Sequence, residues 1–116
     1  MNAHRSLTRD DIAHRSPAAI ALMVASEFSR ASSRCHHREN VLSCYARAQE
    51  LLGIMETLAL TDEEVSLLQP LFKQCASGAL LSESHLSPEA VEHLGTHLAE
   101  AFQIAAEKIS QTKPHA

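Results

Sequence analysis

The chain has 116 residues, 45 % of them hydrophobic and 21 % charged, with a formal net charge of −4. That length suits one domain able to bury a core without metal or disulfide staples, and the composition excludes disorder for the body of the chain. Three Gly and four Pro against many Ala, Leu, Glu and Gln leave little turn chemistry for hairpins, which excludes a mostly β fold.

The opening stretch, MNAHRSLTRDDIAHRS, lacks the apolar centre of a signal peptide. Within it, Thr8 to Asp11, with Leu7 before and Ile12 after, predicts a capped helical turn. Ser16-Pro17 is a stronger start: Ser accepts from free N–H groups and Pro is harmless at the first helical position. The helix it opens, SPAAIALMVASEFSRASSRC, places Ile20, Val24, Phe28, Ala31 and Cys35 on one face, with Leu22 and Met23 beside them. Its second half thins to Ser, Ala and Arg, which predicts an end pushed out of the core or covered by another chain. RCHHREN then forms the first connection, with Asn40 as the expected N-cap, although no Gly or Pro forbids a continuous helix there.

Residues 40–59, NVLSCYARAQELLGIMETLA, form the cleanest amphipathic pattern. Val41, Cys44, Ala48, Leu51, Met55 and Leu58 recur at helical spacing, widened by Tyr45, Leu52 and Ala59, while Ser43, Arg47, Glu50 and Thr57 lie opposite. A stripe that wide needs several partner surfaces, and the bundle is expected to be built around this helix.

Thr61-Asp62-Glu63-Glu64 is a capping box, with Leu60 and Val65 as its hydrophobic staple and three acids where the helix dipole favours them. The helix it starts is expected to reach about Ala76. Leu68, Phe72 and Cys75 continue a face begun by Val65, with Leu67 and Leu71 alongside. Pro70 predicts a kink and Gly78 a stop. After a loop with Leu80 and Leu81 tucked inward, Ser87-Pro88-Glu89, stapled by Leu86 and Val91, opens a last helix to Ile109 or Ser110. Its face is Val91, Leu94, Leu98, Ala101, Ala105 and Ile109, widened by Phe102.

The sum is an all-α, four-helix antiparallel bundle with a short extra N-terminal helical turn. Residues 1–15 form an N-terminal arm, 16–110 the bundle domain, and 111–116 a disordered tail. Each helix carries one aromatic ring: Phe28, Tyr45, Phe72 and Phe102.

Charge is divided unevenly. Residues 1–40 hold six Arg against Asp10, Asp11, Glu27 and Glu39, while the remainder holds four bases against ten acids. A basic end and an acidic body can pair between copies, which favours self-association. The basic end is too weakly charged and too poor in aromatics for nucleic acid. With no apolar run of membrane length, no membrane partner is expected, and an odd set of three cysteines fits reduced thiols in the cytoplasm.

Three groupings carry possible chemistry. Cys35, His36, His37 and Cys44, completed by His93 and His97 one helical turn apart, offer thiolate and imidazole donors for a transition metal. Their spacing matches no standard zinc module, and surface histidines with buried thiols account for the same letters. Cys35, flanked by Arg34, His36, His37 and Arg38, could be a redox-responsive thiolate or simply a small apolar residue closing the helix. His93 and His97 lack the intervening glutamate of a zinc protease and read as packing-edge residues whose charge could tune an interface.

SPAAIALM, followed by RAQELLGIMETL in the next helix, resembles the flagellin export chaperones, small helical bundles that hold an exported subunit before secretion. The resemblance covers Ser16 to Met23 and Arg47 to Leu58, and departs where VASEFSRASS follows Met23. It implies a helical bundle that binds another protein; no family membership is assigned.

No phosphate loop, Ser-His-Asp set or isolated acid pair is recognisable, so an enzyme is not expected, nor a cofactor. The expected function is that of a non-catalytic bundle acting through protein–protein contact, as a homodimer, adaptor, regulator or chaperone-like protein. The competing expectation is a metal- or redox-responsive protein using the Cys35-His36-His37/Cys44 region.

Overall fold

The computed structural model describes residues 16–77 and 87–112. Among the described residues four helices make up the fold: α1 (Pro17–Ser33), α2 (Arg38–Glu56), α3 (Asp62–Ser77) and α4 (Pro88–Thr112). It is an all-α four-helix bundle, and among the described residues there is no strand. No helix of the described residues is long and apolar enough to cross a membrane. The N-terminal turn at Thr8, the Gly78 stop, the inward placement of Leu80 and Leu81, the Leu86 half of the last staple, and the tail beyond Thr112 lie outside those residues.

The helix starts follow local chemistry. Ser16 Oγ accepts from the Ala19 N–H at 3.1 Å, and Ser87 Oγ accepts from the Ala90 N–H at 3.1 Å. At α3 the capping box is complete: the Glu64 N–H donates to Thr61 Oγ1 at 3.1 Å and the Thr61 N–H donates to Glu64 Oε1 at 2.9 Å. The return bond draws Glu64 inward until it is only 8 % exposed. That rotation moves the buried face of α3 one position round from the expected one. Glu64, Leu68, Leu71 and Cys75 are buried, whereas Val65 is 38 % exposed and Phe72 half-buried. Pro70 lies on the exposed face, where a missing N–H is tolerated, and the helix continues past it to Ser77.

Asn40 is not the cap of α2. The chain turns at 34–36, His37 is the N-cap with extended backbone, and its carbonyl accepts from the Val41 N–H at 3.0 Å. Asn40 therefore falls in the first helical turn. At the other end Thr57 stops the helix, its hydroxyl donating to the Ile54 carbonyl at 2.6 Å. Ala59, expected on the apolar stripe, lies beyond this stop and is exposed. The last helix runs to Thr112, two residues past the end expected at Ser110.

The most extensively packed helix is α1, not the expected 40–59 segment; α3 packs against α4. Its pairing with α4 is the most extensive, followed by its pairing with α2. Ser32 beside Thr96 and Phe28 beside Phe102 show α1 and α4 running antiparallel. Close approach depends on small residues: Ala21, Ala25 and Ala31 on α1, and Gly95, Ala99 and Ala106 on α4, are buried. At Gly95 the two backbones are so near that an added Cβ would stand 2.7 Å from the Phe28 carbonyl oxygen. Ser32 Oγ also donates to the Glu92 carbonyl at 2.9 Å. The thinned second half of α1 is thus covered by the chain's own last helix, because a row of small side chains lets α4 lie directly on it.

Three of the four rings meet at the centre. Phe28 stands 5.9 Å from Tyr45 and 6.0 Å from Phe102, centroid to centroid. Phe72 is left at the edge. Leu22, expected beside the buried face of α1, is 50 % exposed.

Candidate functional site

Two concave surfaces border α2, one on each side. The first lies between α2 and α3. A cavity of about 410 Å³ is lined by Glu56, Leu60, Val65, Gln69, Phe72 and Lys73. A smaller one of about 110 Å³ adjoins it, sharing Glu56 and Phe72 and adding Gln49, Leu52, Gly53 and Cys75. Together they make one groove with an apolar floor and a rim carrying both signs of charge. Gly53 keeps its inner end open, since a Cβ placed there meets nothing within 4 Å.

The staple residues Leu60 and Val65 both line this groove instead of closing it. Gln49, Gly53 and Glu56 recur at helical spacing along α2 and give the groove a straight wall, roughly 10 Å long at 1.5 Å per residue. At its floor Cys75 is buried, and burial pushes its thiol up to about 11, so it is a neutral apolar contact near neutral pH.

The second surface is a polar cleft of about 210 Å³ between α1 and α2. Glu27 and Arg30 come from α1 and Arg34 from the cap just after it; Asn40, Ser43, Cys44 and Arg47 come from α2. Both sets follow helical spacing, and α1 and α2 run antiparallel, as the short turn at 34–36 requires. Arg30 Nη1 donates to both carboxylate oxygens of Glu27 at 3.2 Å. Arg47 Nε lies 4.0 Å from a Glu50 carboxylate that is 70 % exposed, a solvated pair of little energetic weight. Burial, then the negative charge of Glu27, raises the Cys44 thiol above its ordinary range, against the opposing pull of Arg30 and Arg34.

The expected metal donors are spread over different places. Cys35 is half-buried at the turn after α1, with His36 and His37 exposed beside it. Cys44 is buried and lines the polar cleft. His93 and His97 are exposed on α4, and His97 Nε2 is hydrogen-bonded to Gln74 Oε1 of α3 at 3.2 Å. Among the described residues no group of three or more His, Cys, Asp or Glu is placed to hold a metal ion. All three cysteines are free thiols.

The arginine cleft is what inspection of the sequence missed. Its signal was present: Glu27, Arg30 and Arg34 recur at three and four residues, as do Asn40, Ser43 and Arg47. Arg34, which precedes Cys35 in the sequence, lines the cleft that holds Cys44. Comparison of the chain with protein-family models, with characterised proteins and with solved structures finds no match to any of them.

Proposed function

We propose that this chain is a non-catalytic helical-bundle protein that works by contact, and that the α2–α3 groove receives a helix of its protein partner. The observation that supports this reading is the groove itself. Leu60, Val65 and Phe72, with the buried Leu52 beside them, form an apolar floor that the bundle leaves partly uncovered along the groove, and Glu56 and Lys73 on the rim give polar register. A docked amphipathic helix buries such a floor with apolar side chains at i and i+4, and the roughly 10 Å wall fits about two turns. The partner helix comes from a second copy or from another protein, in keeping with a basic N-terminal third and an acidic remainder able to pair between chains.

The test places a photo-crosslinking side chain at Gln69, on the groove rim, in the full chain expressed in cells. A discrete protein adduct is expected, either the chain itself or one other species. Adding Gly53→Met, whose Cβ meets nothing within 4 Å and whose longer side chain would occupy the open end, is expected to abolish the adduct while leaving the fold intact. The same adduct from a crosslinker at Glu107, exposed on α4, or an adduct indifferent to Gly53→Met, would overturn the reading.

A further inference from the structure

The geometry points to the cleft between α1 and α2 as a binding site for a phosphate group, taken up as inorganic phosphate or as a small phosphomonoester. Three guanidinium groups face one carboxylate there, so the lining carries a surplus of positive charge on a chain whose formal net charge is −4. Glu27 occupies a single nitrogen of Arg30, leaving most of that fork's five donors unused by the pair. Arg34 has no ion pair among the described residues, and the Glu50 partner of Arg47 is largely in water. Like charges brought together across two packed helices repel, and a dianion between them removes that repulsion while accepting charge-assisted hydrogen bonds.

The neutral lining completes the site. Asn40 and Ser43 bring an amide and a hydroxyl, which donate to phosphate oxygens without adding charge. Cys44 remains a neutral thiol and so does not oppose an anion. Glu27 does oppose one, and its bond to Arg30 is what limits that opposition. A cleft of about 210 Å³ corresponds to the liquid volume of about seven waters, leaving room for a small ester group beyond the phosphate. Arg is suited to this task over Lys because its planar fork meets two oxygens at once.

The experiment is a titration of the full chain with inorganic phosphate, and separately with glycerol phosphate, at constant ionic strength maintained with chloride. Side-chain Nε–Hε resonances of the arginines are followed by NMR. Saturable shifts confined to Arg30, Arg34 and Arg47 are expected, and the half-saturating concentrations of the two titrants show whether the ester group is also held. Arg34→Gln, at an exposed position just beyond α1, is expected to weaken binding about tenfold or more by removing a charge-assisted contact. Lys108→Gln on α4 should leave it unchanged. Shifts spread evenly over all arginines, shifts that never saturate, or equal affinity in Arg34→Gln would overturn the assignment.

Discussion

Replacing Gly95 by Ala is the sharpest test of how α1 and α4 pack. By helix propensity alone the change stabilises a helix interior by about 1 kcal/mol. In the fold, the new methyl would lie 2.7 Å from the Phe28 carbonyl oxygen, 2.8 Å from Ser32 Cβ and 3.2 Å from Ser32 Cα. Carbon–carbon contacts are most favourable at about 3.5–4.0 Å, so the two helices must separate by about 1 Å. Two of the crowding atoms belong to helical backbone and cannot swing aside. Overpacking costs about 1–3 kcal/mol, and separation weakens two Ser32 hydrogen bonds of about 1 kcal/mol each, to the Glu92 carbonyl and to Thr96. Against the gain in propensity, the net loss is about 2–4 kcal/mol, a large share of the roughly 5–15 kcal/mol typical of a domain. Gly53→Ala is the matched control. Its methyl meets nothing within 4 Å, so the same substitution should stabilise by about 0.5–1 kcal/mol. Urea unfolding followed by helical circular dichroism measures both. A Gly95→Ala protein as stable as the parent would refute the close approach of α1 and α4.

Three further outcomes follow from single contacts. Thr61→Ala removes the acceptor for the Glu64 N–H and should cost about 1 kcal/mol in urea unfolding; an unchanged midpoint would mean the capping box contributes nothing. Tyr45→Phe should leave stability unchanged or raise it by up to about 1–3 kcal/mol, because the hydroxyl is buried without a hydrogen-bond partner among the described residues. A clear loss of stability would show that the hydroxyl is satisfied. Cys75, at about 11 in the fold against an ordinary 9.0, keeps its proton longer than the unfolded chain does. Stability is therefore full below pH 9.0 and falls as the pH rises towards 11, by at most about 3 kcal/mol from this group. Cys75→Val should flatten that alkaline decline in unfolding midpoints, and an identical slope in parent and variant would show that the buried thiol is not its source.

Features that depend on neighbours along the chain were legible from residue order alone. Ser16, Ser87 and the Thr61/Glu64 pair announce helix starts because a cap is satisfied within three residues, and the structure shows each of those bonds. The buried stripes of α2 and α4 were legible for the same reason, since helical periodicity repeats every turn. At α3 the stripe was misjudged by one position, because Val65 and Glu64 competed for the inward place and the cap bond drew Glu64 in.

What lies between helices emerges when they are packed together. The row of serines and alanines in α1 gives no sign of its partner until Gly95 is laid against Phe28 and Ser32, more than sixty residues away along the chain. Likewise Arg30 on α1, Arg34 at its cap and Arg47 on α2 are ordinary surface residues until the turn at 34–36 folds one helix against the other. The groove exists because α2 and α3 fail to meet closely, a property of interhelical distance that no residue pattern within either helix encodes. Caps and periodicity are short-range and can be read from the sequence; approach distance and the meeting of charges depend on packing all four helices at once.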